Sequence, residues 1–326
     1  KEGMDGEVNI GIASNQAEEW YPLFGSLLSW ASGNWELWTA FTAEDPEDSP
    51  PMARWLTLAE SGSLFDIEVN ASPILAAETL RRSLWNVAYG CLVTSATLTA
   101  LGTFDRFRMR AGLPKKAVTA VVPSPFHHAD AGVLRVPDLK ADPRDAAAHT
   151  AAIIRELPDL VEGSRGTLVL FSSRKQMQDV FDGLDRDWRK QVFIQGNLSK
   201  QETLNKHKAR VDGGDSSVLF GLASFAEGVD LPGAYCEHVV IAKIPFSVPD
   251  DPVEAALSEW IEARGGNPFM EISVPDASLK LVQACGRLLR TEEDRGTITL
   301  LDRRLVTQRY GKAILNALPP FRREIS

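Results

Sequence analysis

The chain has 326 residues, 44% hydrophobic and 24% charged, enough to bury a sizeable core and to build one full domain with part of another. No apolar run approaches the ~20 residues of a membrane-spanning helix, and no secretory leader pattern opens the sequence. Three widely separated cysteines argue against a disulfide framework and for a reducing, cytoplasmic setting. The net charge of −9 is uneven: residues 1–70 carry thirteen acidic against two basic side chains, and the remainder, with 33 basic and 31 acidic, is close to neutral.

The first 60 residues hold five of the eight tryptophans. Trp20, Phe24, Leu27 and Leu28 recur at helical spacing within 15–31, which predicts a helix whose apolar face packs on a partner surface. Such tryptophans can also stack on bases, but packing is the plainer reading. Residues 43–51, with four acids and three prolines, read as an exposed loop. Apolar runs at 55–59 and 64–70 flank Ser61-Gly62 as the arms of a hairpin. From Ile74 the pattern alternates. A helix at 74–88 precedes a strand at Cys91, and a short helix follows at 104–111. Pro114 and the Pro123-Ser124-Pro125 turn mark the passage into a new unit. Strands are then predicted at 132–136, 167–171, 191–195, 217–220, 238–242 and 297–301. Helices intervene at 144–161, 175–184, 200–211, 252–264, 278–289 and 304–318. This alternation predicts a three-layer α/β domain around a mostly parallel sheet. Cys91 and Cys285 sit in apolar surroundings and are expected to be buried.

Several of these elements run into small or hydroxyl residues, the format of a strand handing over to a ligand-binding loop. Cys91-Leu92-Val93 leads into Thr94-Ser95-Ala96-Thr97-Leu98, and the 167–171 strand into Ser172-Ser173-Arg174. The 217–220 strand leads into Gly221-Leu-Ala-Ser-Phe-Ala-Glu-Gly-Val-Asp-Leu231. The helix at 278–289 contains Gln283-Ala-Cys-Gly-Arg-Leu-Leu-Arg290. Helical spacings of four and three place Gln283, Arg287 and Arg290 on one face. Two guanidiniums and an amide on one face suit an anionic, multi-oxygen ligand such as a triphosphate, against the plainer alternative of a solvated basic face. Glu227 and Asp230 bracket Gly228, which permits a tight turn; turn-forming and capping chemistry explain the two acids equally well. Ser172, Ser173 and Arg174 offer a phosphate seat at a helix start, or ordinary N-capping by serine. Ser95 lacks the Gly-x-Ser-x-Gly context of a nucleophile. The five histidines show no metal-ligand spacing beyond an adjacent pair, so no metal is expected on this chain.

Taken in order, TSATL, LFSSR, FAEGVDL and QACGRLLR resemble motifs III to VI of superfamily 2 helicases, in the wording of the DinG branch of the XPD-like DNA helicases. The resemblance runs from about Leu64 to the end. It implies a RecA-like second motor domain over 111–326, preceded by the C-terminal part of the first motor domain (61–110) and the tail of an arch-like insertion (1–60). It assigns Arg287 as an arginine finger, Arg290 as a second phosphate contact, and Gln283 as a partner of the γ-phosphate or attacking water. Gly228, Glu227 and Asp230 then belong to a nucleotide-sensing loop. Ser172, Ser173 and Arg174, with Gln195 and Ser224 at neighbouring strand tips, contact single-stranded DNA. Neither the family's Gly-x-x-x-x-Gly-Lys-Ser/Thr loop nor its Asp-Glu-Ala-His-like box occurs in the sequence. The chain therefore reads as the C-terminal part of a longer helicase, inactive alone, with ATP and Mg2+ held mainly by the missing part. A 4Fe-4S cluster, frequent in relatives, is expected there too. The resemblance further implies a monomeric motor that moves 5′ to 3′ on single strands and opens forked or displaced-strand duplexes in repair or replication. A degenerate RecA-like module that binds nucleic acid or protein without motor activity is the other reading.

Overall fold

The structure, a computed structural model, describes residues 14–47, 49–61, 64–222, 225, 228–247 and 250–326. Contacts divide them into two units, one built from residues before Ala77 together with the segment around helix Pro252–Ala263, the other from the rest.

In the first unit a 29-residue helix, Ser14–Thr42, precedes two antiparallel strands, β1 (Met52–Ser61) and β2 (Leu64–Pro73). They pair in unbroken register from Met52↔Pro73 to Ser61↔Leu64, forming the expected hairpin. Arg54 joins helix to hairpin: its guanidinium donates to the carbonyls of Ala40 (2.9 Å) and Ala43 (2.8 Å) and pairs with Asp45 at 2.7 Å. Trp20, Phe24, Leu27 and Leu28, the apolar face expected to pack on a partner surface, are exposed. Helix Pro252–Ala263, expected to flank the parallel sheet, lies against β1.

The second unit is built on seven parallel strands: β3 (Gly132–Val136), β4 (Gly166–Phe171), β5 (Val192–Ile194), β6 (Ser217–Leu222), β7 (His238–Ile241), β8 (Gly296–Leu300) and β9 (Arg322–Ile325). Their spatial order is β5-β6-β4-β7-β8-β3-β9, and every pairing is parallel. The central strands β4 and β7 are buried along their whole length, as a parallel sheet covered on both faces demands. Alternation along each strand sends its side chains to two cores. Leu168, Leu170, Leu219, Val239 and Ile298 pack with Leu281 and Cys285 of helix Val274–Cys285. Val169, Phe171, Phe220 and Val240 pack with Ile153 and Leu157 of helix Ala146–Leu160 and Met177 and Val180 of helix Arg174–Gly183. Each such fully buried side chain is worth about 1.5–3 kcal/mol. Asp145 caps the 146–160 helix through the N–H groups of Ala147 and Ala148, and Ser173 caps the 174–183 helix through that of Gln176.

Several expectations are corrected. Residues 91–93 form no strand, and Cys91 is exposed; no strand among the described residues offers them a ladder. The helix expected at 74–88 is one turn, Ala77–Leu80, followed by a π-turn, Arg81–Trp85. There the Trp85 indole donates to the Ala111 carbonyl at 2.7 Å, at the end of helix Asp105–Ala111. That helix is tied in turn to the first turn of the 274–285 helix, where Asp276 pairs with Arg106 and Arg110. The edge strand β9 was not anticipated, because Arg322, Arg323 and Glu324 carry no apolar signal; backbone pairing with β3 and an Arg135–Glu324 bridge of 2.8 Å place it. The helix expected at 278–289 spans Val274–Cys285 and stops short of both candidate arginines.

Candidate functional site

The QACGRLLR segment leaves its helix at Gly286. Arg287 N–H bonds back to Ala284 O (3.1 Å) and Leu288 N–H to Cys285 O (3.2 Å), three-residue steps that tighten the chain out of the α-helix. Leu288 and Leu289 stay buried and anchor this turn. Gln283, Arg287 and Arg290 therefore do not share a helix face. Gln283 remains exposed on the last helical turn, whereas tertiary folding brings the two arginines together. Arg287 Nη1 (3.1 Å) and Arg290 Nη2 (2.7 Å) both donate to the carbonyl of Val229. Arg290 Nε lies 3.3 Å from Asp230 Oδ1.

Val229 belongs to the glycine-containing loop after β6. Gly228 has φ of +68°, a left-handed conformation that side-chain-bearing residues rarely adopt, and it turns the chain between the buried Val229 and the stretch before it. Upstream, Phe225 is buried against Gly221, where a Cβ would come within 2.6 Å of the ring; packing, as expected, is its role. The Lys200 ammonium stands 5.5 Å over the Phe225 ring centre. Ser224 and Glu227, expected on the DNA and nucleotide sides of this loop, lie outside the described residues.

A second group sits at the carboxyl ends of β4 and β5. Ser172, Ser173 and Arg174 are exposed, and Ser173 Oγ accepts the Gln176 N–H at 3.2 Å, so the capping role is real. The Arg174 guanidinium reaches toward the turn at Gly196. Gln195 Oε1 accepts the Leu222 N–H at 2.8 Å and so holds the end of β6, just before the glycine-containing loop.

Three contributors had no clear signal in the sequence. Asp294, which follows two exposed glutamates, is buried. It accepts from Arg290 N (2.6 Å), Thr291 N (2.8 Å), Thr291 Oγ1 (2.9 Å) and Gly233 N (3.0 Å), knotting the arginine turn to the chain that follows Leu231. Burial opposes its ionisation, but these hydrogen bonds outweigh it and hold the carboxyl below its ordinary range. Asp302, also buried, links the ends of β8 and β7 by accepting from Ile244 N (2.9 Å) and Arg304 Nη2 (2.6 Å). Beside it Lys243 is pushed down from its usual pKa by burial and by the neighbouring Arg304. His149 and Gln176 form a buried pair behind Ser173, at 3.2 Å. The Ser-x-x-Gln spacing of 173–176 was the only available hint.

An open parallel sheet with helices on both faces, whose candidate ligand loops leave the carboxyl ends of the strands, defines a RecA-like α/β domain. The solved structure of S. tokodaii Xpd4 shares this fold, with a TM-score of 0.55 over 79% of this chain and 48% of that one, at 17% identity. The Helicase C-terminal domain family matches residues 157–321, half of the chain, and the chain belongs to that family. It is similar to the ATP-dependent DNA helicase DinG of Photobacterium profundum, 42% identical over 295 residues that cover 89% of this chain and 42% of that protein. It is also similar to the ATP-dependent DNA helicase DinG of Escherichia coli (strain K12), 36% identical over 277 residues, 83% of this chain and 38% of that protein. The chain thus spans about two-fifths of the length of these curated relatives.

Proposed function

We propose that the chain is the C-terminal motor portion of a DinG-type, ATP-dependent DNA helicase. The observation that carries this reading is the convergence of Arg287 and Arg290 on one loop carbonyl, that of Val229. Both guanidiniums share one neutral acceptor, and a phosphate oxygen is a stronger one, because a hydrogen bond to a charged group is roughly twice as strong as a neutral bond. When a nucleotide-bearing first motor domain closes, the γ-phosphate replaces the carbonyl. Arg287 then meets the charge that develops during transfer, and Arg290 and Gln283 support it. Release of Val229 frees the loop after β6 from the arginine turn. Gln195 grips the end of that same strand, so nucleotide state is passed toward the strand tips, where Ser172, Ser173, Arg174 and Ser224 hold single-stranded DNA. In this reading Gly228 supplies the bend, while Glu227 and Asp230 line the nucleotide side.

The parallel-sheet unit is the second motor domain, and the chain before about residue 110 comes from an arch-like insertion and the end of the first motor domain. The phosphate cradle and Mg2+ ligands belong to the rest of the whole protein, so this chain alone is inactive. The same holds for a 4Fe-4S cluster, whose four cysteine ligands this sequence, with three widely separated cysteines, does not supply. Among the described residues no group of three His, Cys, Asp or Glu side chains could hold a metal, and no helix is long and apolar enough to cross a membrane. The whole protein acts as a cytoplasmic monomer, moving 5′ to 3′ and opening forks and displaced-strand duplexes in repair or replication. Strand separation by the full-length protein on forks with a 5′ or a 3′ single-stranded tail tests the reading. ATP-dependent opening only with the 5′ tail is expected; opening of neither fork refutes the motor assignment.

A further inference from the structure

The helix that leads into the arginine turn is held at its other end by an ion-pair cluster that the mechanism above does not use. Along helix Val274–Cys285, Asp276, Lys280 and Gln283 are spaced by four and three and form one partly open stripe. Val274, Ala277, Leu281 and Cys285 of the same helix are buried in the core. Gln283 ends the stripe beside the arginine turn, Lys280 Nζ donates to Ser247 Oγ at 2.6 Å, and Asp276 begins it. Both oxygens of Asp276 are engaged, Oδ1 by Arg106 Nε and Oδ2 by Arg110 Nη2 at 3.4 Å. The two arginines stand four apart on helix Asp105–Ala111, so they reach the carboxylate from one face, 170 and 166 positions away in the chain.

Capping does not explain Asp276. The π-turn before it, Phe269–Ser273, already carries helical backbone, with Ser273 at φ −65° and ψ −42°. The Asp276 side chain is 17% exposed, and those of Arg106 and Arg110 are 25% and 23% exposed. Charges withdrawn this far from water need a matched partner, and the match fixes the spacing of the two helices. Helix 105–111 is in turn built into the chain before it. The Trp85 indole holds the Ala111 carbonyl, and Gly112, at φ +60°, closes on Ala77, whose carbonyl oxygen would lie 2.7 Å from a Cβ there. After it come residues 112–127, which carry no helix or strand and are exposed throughout 118–125. A connection of that kind limits reach without setting placement. Asp276 sets the placement.

We infer that Asp276 is a positioning residue for ATP hydrolysis: its pairing with Arg106 and Arg110 makes helix 105–111 the pivot on which the first motor domain brings its nucleotide to Arg287. This rests on the reading of 105–111 as the end of the first motor domain and of Arg287 as the group that meets the γ-phosphate. Helix 274–285 is locked in the core, so whatever is fixed to Asp276 is fixed relative to the arginine turn. Without the pairing, segment 112–127 alone joins the two parts here, and each closure carries a larger entropic cost.

DNA-stimulated ATP hydrolysis by the full-length protein tests this in Asp276→Asn, Arg106→Gln and the two combined, with thermal unfolding alongside. Asp276→Asn should lower kcat by about ten-fold or more, the size of one charge-assisted hydrogen bond, and leave KM for ATP within about two-fold. Arg106→Gln should do the same while leaving the sequence of helix 274–285 intact. The double variant should be no slower than the slower single one, because both changes remove one interaction. Asp276→Glu keeps the charge and should recover most of the turnover. Near-native turnover in a folded Asp276→Asn protein would overturn the inference. So would single-variant losses that multiply in the double variant, or a KM effect with kcat unchanged. Absence of ATP hydrolysis by the native full-length protein would instead overturn the motor reading, and this inference with it.

Discussion

Replacement of Asp294 by asparagine probes the knot that sets the arginine turn. In the native protein Oδ2 accepts the N–H groups of Arg290 and Thr291, and Oδ1 accepts Thr291 Oγ1 and Gly233 N–H. Four donors converge on two oxygens, and an amide can supply only one. With its NH2 on the Oδ1 side, the asparagine amide can donate to Thr291 Oγ1, which rotates to accept, but the Gly233 N–H is left without an acceptor in a site that is 5% exposed. One buried donor left unmade costs about 1–3 kcal/mol. For a unit of this size that lowers the unfolding midpoint by about 2–12 °C. Glu292→Gln and Glu293→Gln are the controls, since both neighbours are exposed and should stay within about 0.5 kcal/mol of native. The pH dependence has a definite sign. The folded carboxyl is held below its unfolded value, so its contribution is complete above about pH 4 and disappears as pH falls through the folded pKa. The gap between native protein and Asp294→Asn should therefore persist at neutral pH and close in acid. Thermal unfolding of both proteins across that range is the assay. A neutral-pH midpoint for Asp294→Asn within about 2 °C of native would show that the knot does not hold the turn.

Arg287→Ala in the full-length protein should lower DNA-stimulated ATP turnover by about 10³-fold with a smaller effect on nucleotide affinity, and Arg287→Lys should rescue poorly because a point charge does not reproduce the planar fork. Near-normal turnover in the folded alanine variant removes the finger assignment. Asp230→Asn should change stability by no more than about 1 kcal/mol, since the carboxylate that pairs with Arg290 is 76% exposed; a larger loss in a denaturant titration contradicts a surface role. His238 is buried, and burial, reinforced by Arg135, lowers its pKa from 6.5 to about 4, so folding favours the neutral ring. Stability should be complete above about pH 6.5 and fall by about 3 kcal/mol as pH drops toward 4, where the folded ring also protonates. A flat stability profile between those limits, measured by urea unfolding, would refute the burial argument. The isolated chain should show no ATP hydrolysis, which a purified-protein phosphate-release assay checks directly.

Local pattern carried much of the fold. Runs such as Thr167-Leu168-Val169-Leu170-Phe171 and Ser217-Val218-Leu219-Phe220 announce strands buried on both faces, and the helices between them follow from 3.6-residue periodicity and serine or aspartate caps. Motif order carried the family, because TSATL, FAEGVDL and QACGRLLR are contiguous strings whose wording survives without coordinates. Placement of the site residues was another matter. Gln283, Arg287 and Arg290 look like one helix face because their spacing is helical, yet the helix ends at Cys285. The N–H groups of Arg287 and Leu288 tighten onto Ala284 and Cys285, and those of Arg290 and Thr291 are taken by Asp294, whose link to Gly233 spans 61 positions of the chain. Helical spacing could not predict that Arg287 and Arg290 meet on Val229, about sixty residues away. Nor could it orient Gln176, whose amide is set by a carbonyl on the far side of His149. The sequence by itself determined which segments become strands and helices, since that depends on periodicity and caps within a few neighbours. Only the tertiary structure decided which polar groups face one another, because buried donors and acceptors must be satisfied by whatever the fold brings beside them, however distant in the chain.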